Sequence, residues 1–461
     1  MNYRDKKVSD IQIAYIGGGS MGWAWTFMTD LSLEDKLSGT IRLYDIDEQA
    51  AERNRKIGNE LSKDPNRPGR WKYVTSKSLQ EALTGVDFVV ISILPGSFEE
   101  MRSDVHSPEK YGVWQPVGDT AGPGGLIRAL RTIPMYVKIA EAIREYSPKA
   151  WVINYTNPMS LCVQTLYHVF PEIKAFGCCH EVFNTQKLLA DMCATELGLD
   201  SIERHEINVN VLGINHFTWF DRASYQGVDL FPMYRSFVDR YYETGYPQDN
   251  EDYLTNPFAC GHRVKFDLFR NYGLIAAAGD RHLAEFMPPI YLKNPETAHS
   301  YKFALTTVDY RIEDLSRRQA RSARLLAGEE KLDTKPSGEE GILLIKSLVG
   351  LERTVSNVNI PNVGQIANLP LGAIVETNAL FEKDHISPIF AGNIPENVKE
   401  LITPHVNIHE KVMKAAISCD RELAFEAFME DPLHDLKEED ARNLFNEMLE
   451  NTRAYLPKGW F

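Results

Sequence analysis

The chain has 461 residues, 43% of them hydrophobic and 25% charged, which is enough apolar material for a large core and argues for two domains. Its 64 acidic side chains against 50 basic ones leave a formal charge of −14, and this excludes the basic footprint of a nucleic-acid binder. No run approaches the ~18 apolar residues a membrane helix needs, the N-terminal apolar run stops at glycines after about four residues, and six cysteines make no disulfide framework in so long a chain, so a cytoplasmic protein with reduced thiols is expected.

Residues 11–16, IQIAYI, read as a buried parallel strand, and GGGSMGWAWTFMTDL after them reads as a tight turn into a helix. TIRLYDID at 40–47 is a second strand, and VDFVVISIL at 86–94 a third. GDTAGPGGLIRALRTIP at 118–134 reads as a glycine-rich loop, followed by helical periodicity over 131–148 that ends at a proline. AWVINYTNPMSL at 150–161 and IKAFGCCHE at 173–181 each read as a strand and then a loop. Strands alternating with helices predict an α/β fold with a Rossmann-type doubly wound parallel sheet over residues 1–200. The pattern then changes. Residues 202–227 look like paired antiparallel strands, 228–350 are mainly helical, 327–340 form a charged exposed loop, 354–381 are strands and loops, and amphipathic helices finish the chain. These make a second, mixed α+β domain over 201–461, expected to bind substrate and to carry oligomer contacts.

Gly17-x-Gly19-x-x-Gly22, with Ser20 and Met21 inside it, lies between the first strand and its helix. The glycines allow a tight turn and a close approach of backbone to a pyrophosphate, which then meets the N–H groups of the helix N-terminus. Asp45 ends the second strand, where a carboxylate takes the ribose hydroxyls of NAD and repels the extra phosphate of NADP.

Cys179 in GCCHEVFN and His216 in GINHF are the residue types that hold a divalent transition ion with open positions, completed by substrate; taken alone, a packed thiol and a hydrogen-bonded core histidine account for them more simply. Cys178 is expected to point the other way, into the core. Asn157, before Pro158, either holds sugar hydroxyls or stabilises a turn, and Asp119 is either a functional acid or a turn cap. Asp280, Arg281 and His282 are consecutive. Facing a cleft, they offer a base and a cation for an anionic substrate; otherwise they form a solvated turn.

Taken together, IAYIGGGSMGW, SILPGSFEEM, GDTAGPGGLIRALRTIP, INYTNPMS, GCCHEVF, GINHFTWF, AGDRHLAEF and NIPNVGQIANLP resemble glycoside hydrolase family 4 in order and over nearly the whole chain, and within it the α-galacturonidase branch. The resemblance implies a lactate/malate dehydrogenase-like fold and an NAD- and Mn2+-dependent hydrolase outside the two-carboxylate scheme. It implies hydride removal from C3 of the sugar, deprotonation at C2, loss of the C1 leaving group, addition of water and return of the hydride, with the metal as Lewis acid. It puts Cys179 and His216 on the metal, Asn157 on the substrate, His180 as proton donor, and Asp119 beside the base. Asp280 is the expected base, with His282 as the alternative. Arg281, His282, Arg128 and Arg131 are the candidates for the carboxylate of a uronic acid glycoside. A homodimer or homotetramer is implied. The alternatives are an α-glucuronidase or neutral-sugar α-glycosidase with the same machinery, an NAD-dependent hydroxy-acid dehydrogenase, or a non-catalytic NAD-binding regulator.

Overall fold

A computed structural model describes residues 1–248 and 251–461. Six strands form the parallel part of the main sheet: β2 (Lys7–Ile16), β3 (Leu37–Tyr44), β4 (Arg70–Thr75), β5 (Phe88–Ile91), β6 (Trp151–Asn154) and β7 (Lys174–Gly177), with the short β1 (Asn2–Arg4) antiparallel to β2. Their spatial order is β4-β3-β2-β5-β6-β7. This is the dinucleotide-fold order, so the direction of winding reverses between β2 and β5, where such sheets open a crevice at the carboxyl ends of their strands. All four residues of β5 are buried, as expected of a strand covered on both faces.

A second antiparallel sheet follows, built from β8 (Ile207–Ile214), β9 (Phe217–Tyr225), β10 (Val228–Asp229) and β11 (Ile275–Ala276). The chain then returns to the first sheet. β12 (Thr354–Pro361), β13 (Ile374–Glu382) and β14 (His385–Pro388) extend it beyond β7, joined through the antiparallel pair Asn359–Gly177. The main sheet therefore draws strands from both sides of residue 200. Helices Trp23–Leu33, Glu48–Leu61 and Gly341–Leu348 help to cover one face, and Gly122–Tyr146 and Met159–Val169 the other. The C-terminal helices Glu396–Ser418, Arg421–Met429 and Glu438–Asn451 pack on the outside of Gly122–Tyr146. No helix among the described residues is long and apolar enough to cross a membrane, and all six cysteines are free.

Two segments differ from the sequence reading. The helix expected from 131 begins at Gly122, inside the supposed loop. Pro123 fits a first helical turn, where no N–H is needed, and Gly124 and Gly125 are there for space: a Cβ on them would lie 2.5 Å from the Asp104 carbonyl oxygen and 2.4 Å from the Thr120 backbone. Likewise the chain after Pro158 is the helix Met159–Val169, whose apolar face packs against the sheet.

His405 and His409 lie one turn apart in the helix Glu396–Ser418. Burial holds both imidazoles below their ordinary value of 6.5, His409 at about 3 with His405 adding repulsion. The unfolded chain binds these protons more readily, so stability is lost as pH falls through 6.5. We expect the unfolding midpoint to fall between pH 7 and pH 5, and to fall less in His409→Asn; thermal unfolding across that interval checks it, and equal slopes for the two proteins would refute it.

Candidate active site

The glycine loop leaves the end of β2 at the winding reversal. Gly17 has φ +90°, and a Cβ there would stand 1.9 Å from the Ser92 carbonyl oxygen at the end of β5, so only glycine fits. The Gly19 N–H donates to Asp45 Oδ2 at 2.8 Å, and the Asp47 N–H to Asp45 Oδ1 at 3.0 Å, which fixes the carboxylate at the tip of β3. Gly22 caps the helix Trp23–Leu33, whose first turn contains no acidic side chain. Ser20 and Met21 complete the turn: the Ser20 hydroxyl accepts from the Gly22 N–H, and the Met21 carbonyl accepts from Arg318. Beside Asp45, Ile46 is 94% exposed, an apolar face of the kind an adenine ring covers.

His216 sits in the two-residue turn between β8 and β9, with φ +65°, a left-handed conformation uncommon for a non-glycine residue and of the kind that collects at functional sites. The Thr120 hydroxyl lies 2.7 Å from Asp119 Oδ1 and 3.1 Å from His216 Nδ1. A hydroxyl has one proton and an ionised carboxylate has none, so Thr120 donates to Asp119 and accepts from His216 Nδ1–H. That assigns the lone pair to His216 Nε2, the form of imidazole that ligates a cation. The rings of His216 and His282 lie 3.8 Å apart. Ligand atoms of Asp119, His216 and His282 all fall within 4.8 Å of one another, a donor set a divalent ion fits.

The sequence reading pairs His216 with Cys179. Cys179 lies outside that triangle, buried with Met159, Val163 and Ile374 and beside the Asn215 side chain that precedes His216. Burial and the nearby Glu376 and Glu181 carboxylates push its thiol well above the ordinary value, so the thiolate forms there only with a cation to compensate it. Cys178 packs against the large core beside Tyr155.

Asn157 donates to Asp119 Oδ2 at 3.3 Å, and its own Oδ1 is buried without a partner. Burial pushes the Asp119 carboxyl up, but Arg128, the two histidines and Thr120 outweigh that and hold it far below the carboxylate range. His180 sits between two carboxylates, Nδ1 at 3.3 Å from Glu339 and Nε2 at 3.9 Å from Glu181, with its ring beside Trp23 of the helix that follows the glycine loop. Desolvation opposes its charge, yet these carboxylates raise it, so His180 is an imidazolium at neutral pH.

Asp280, the base expected from the sequence, falls outside the Asp119, His216 and His282 cluster. It is 0% exposed, and its two oxygens accept from the Val264 and Lys265 N–H groups, both at 3.2 Å, capping the helix Arg263–Tyr272. Its neighbours are Cys260 and His262, not His216. His282, two residues on, is the one that turns to the site. Burial and His216 hold its imidazole at about 3, so it is neutral. Its Nε2 faces Glu181 Oε1 at 3.7 Å, and its Nδ1 is buried without a partner. A proton on Nε2, toward the carboxylate, leaves Nδ1 as a free acceptor.

Of the candidate cations, Arg131 is consumed by a buried two-pronged pair with Asp104 and a bond to the Pro95 carbonyl. Arg128 bonds the Asn157 carbonyl at 3.2 Å, and Arg281 bonds the Thr306 hydroxyl at 2.6 Å over the Phe258 ring. Three acids escaped the sequence reading. Glu181 accepts from the Gly279 N–H at 2.6 Å and holds the His282 side of the site. Glu285 accepts from the Val117 and Gly118 N–H groups at 2.7 and 2.9 Å and so fixes the loop that presents Asp119; burial raises its carboxyl to about 8. Glu339 comes from the end of the charged loop. The Glu in CCHEVF and in HLAEF was the available signal, since acids on apolar helical stretches are candidates for burial.

A family model for the family 4 glycosyl hydrolases matches residues 12–195, and one for their C-terminal domain matches residues 211–434. An alpha-galacturonidase of Lachnoclostridium phytofermentans is 60% identical over the full length of both chains. The crystal structure of a putative glucosidase lplD from Bacillus subtilis is 50% identical, with a TM-score of 0.92 over 96% of this chain and 100% of the other. A 6-phospho-alpha-glucosidase from gut microorganisms, solved with NAD and Mn2+, shares the fold at a TM-score of 0.80 and 22% identity, covering 97% of this chain and 99% of that one. The matched segments include the glycine loop, the turn bearing His216 with the strand after it, and the one-turn helix bearing His282, and by them the chain belongs to glycoside hydrolase family 4.

Proposed function

We infer that this chain hydrolyses α-galacturonides with bound NAD and a divalent ion such as Mn2+. What carries the reading is the charge around Asp119. Three guanidiniums, Arg128, Arg281 and Arg311, act on this one carboxylate, while Glu285 beside them is held neutral at pH 7, all in a chain of net charge −14. With Asp119 and Glu181 the ionised acids among them, three desolvated guanidiniums suit an anionic substrate. The full-length likeness to an alpha-galacturonidase supports a uronic acid as that anion.

Gly17, Gly19 and Gly22 and the helix behind them would cradle the pyrophosphate, and Asp45 the ribose. His216 would hold the metal through Nε2, with Cys179 as the thiolate ligand and Asp119 within the same donor set. Bound NAD would supply the hydride acceptor for C3 of the sugar and the later return of that hydride, and a bound metal would supply Lewis acidity at the sugar oxygens. The chain's own residues do the rest. His282 Nδ1 takes the C2 proton, and Glu181 orients that ring and steadies its charge once protonated. His180 donates a proton to the departing glycosidic oxygen. Asn157, anchored on Asp119, presents its free carbonyl oxygen to a sugar hydroxyl.

The test is a panel of aryl α-galacturonide, α-glucuronide, α-galactoside and phosphorylated glycosides with NAD, Mn2+ and a thiol reductant. We expect the galacturonide to lead by at least a hundredfold in kcat/KM; a neutral or phosphorylated sugar at equal or higher rate would end the reading.

A further inference from the structure

The helix Val308–Ala327 is rich in arginine and crosses between the two halves of the site. Its start is pinned where the sugar-side elements meet: Arg102 pairs with Asp309 at 2.6 Å, the Val308 N–H reaches His106 Nε2 at 3.2 Å, and Thr306 just before it takes the bond from Arg281. Farther along, Arg318 donates to the Met21 carbonyl in the glycine loop at 3.2 Å, and a Cβ on Gly22 would meet that guanidinium at 2.8 Å. Arg311 lies seven residues, about two turns, before Arg318, so the two project from one side of the helix, roughly 10 Å apart along it.

The three guanidiniums near Asp119 differ in what they already bind. Arg128 has the Asn157 carbonyl, and Arg281 has Thr306 and the Phe258 ring. The Arg311 side chain has no hydrogen bond or ion pair among the described residues, and its Nε is buried without a partner. The ionisable groups that act on it are Asp119, Arg281, Glu285 and Asp314, of which Glu285 is held neutral. A buried guanidinium N–H without an acceptor is costly, and a planar carboxylate is the acceptor its fork fits best.

We propose that Arg311 is the specificity residue of the sugar site and takes the C5 carboxylate of the substrate, a role that rests on the uronide reading above. The same helix then places one arginine on the substrate anion and another, Arg318, at the loop for the cofactor pyrophosphate.

The experiment measures galacturonate binding and aryl α-galacturonide turnover by the NAD- and Mn2+-loaded enzyme and by Arg311→Met and Arg311→Lys. We expect Arg311→Met to weaken galacturonate at least thirtyfold and to lower kcat/KM mainly through KM, with NAD affinity and melting temperature unchanged. Arg311→Lys, which keeps the charge and loses the fork, should fall between. Arg311→Gln reads the same quantity if the methionine variant melts early. Unaltered galacturonate affinity in a folded neutral variant overturns the assignment while leaving the uronide reading in place. Equal losses for galacturonate and NAD make Arg311 a structural residue and overturn it too. A wild-type enzyme that turns over no α-galacturonide removes both.

Discussion

His216→Ala and Cys179→Ala each lower kcat/KM for the α-galacturonide by at least about a thousandfold, equivalent to ~4 kcal/mol at the transition state. The two act by different routes. Replacing His216 removes the Nε2 lone pair that Thr120 and Asp119 orient, and frees a strained turn position. Replacing Cys179 removes the only thiol expected to ionise at the site, and leaves a space next to Met159, Val163 and Ile374. Folding should survive both changes, because Cys179 belongs to a small cluster of four buried residues and His216 to a two-residue turn. Mn2+ binding measured by electron paramagnetic resonance separates the effects from misfolding: both variants should lose the bound-metal signal while keeping their melting temperature within a few degrees. A Cys179→Ala protein that binds Mn2+ as tightly as the parent would confine the metal to the Asp119, His216 and His282 triangle.

The second large effect divides His282 from Asp280. His282→Gln should abolish turnover, by a thousandfold or more, because His282 is the neutral imidazole stacked on His216, and its Nδ1 has no partner among the described residues. Asp280→Ala should do something else. It uncaps the helix Arg263–Tyr272 and strands two buried N–H groups, at a cost of roughly 0.5–2 kcal/mol for the cap and more for the orphaned donors. The melting temperature drops, and kcat changes by less than tenfold in the folded fraction. Washout of C2 deuterium from labelled substrate reports the base directly. Its loss in Asp280→Ala and retention in His282→Gln would reverse the two roles.

Adjacent residues in a helix point about 100° apart, so a run such as Asp280-Arg281-His282 contains three directions and only the surrounding packing decides which meets the substrate. The sequence holds the candidates and not the choice. The glycine loop is different. Gly17, Gly19, Gly22 and Asp45 are set by the local order strand, turn, helix, strand, and the pattern carries that order. The return of β12 to β7 was beyond reach for the opposite reason: one pair, Asn359 with Gly177, joins segments far apart in the chain. Glu181 and Glu285 were hidden because acids in helices usually face water, and here both are buried and bound to backbone N–H groups. Arg131 shows the converse: a cation three residues from Arg128 in the same helix is already spent on Asp104, an acid the pattern did not distinguish.

The proposed route of hydrolysis runs through oxidation at C3 and proton removal at C2. It is tested most directly by running one reaction in deuterated water, with and without NAD, and examining the released sugar by NMR. Turnover is expected only with NAD, with deuterium at C2 of the product and no net NADH. Turnover that persists without NAD and leaves C2 fully protiated would contradict it.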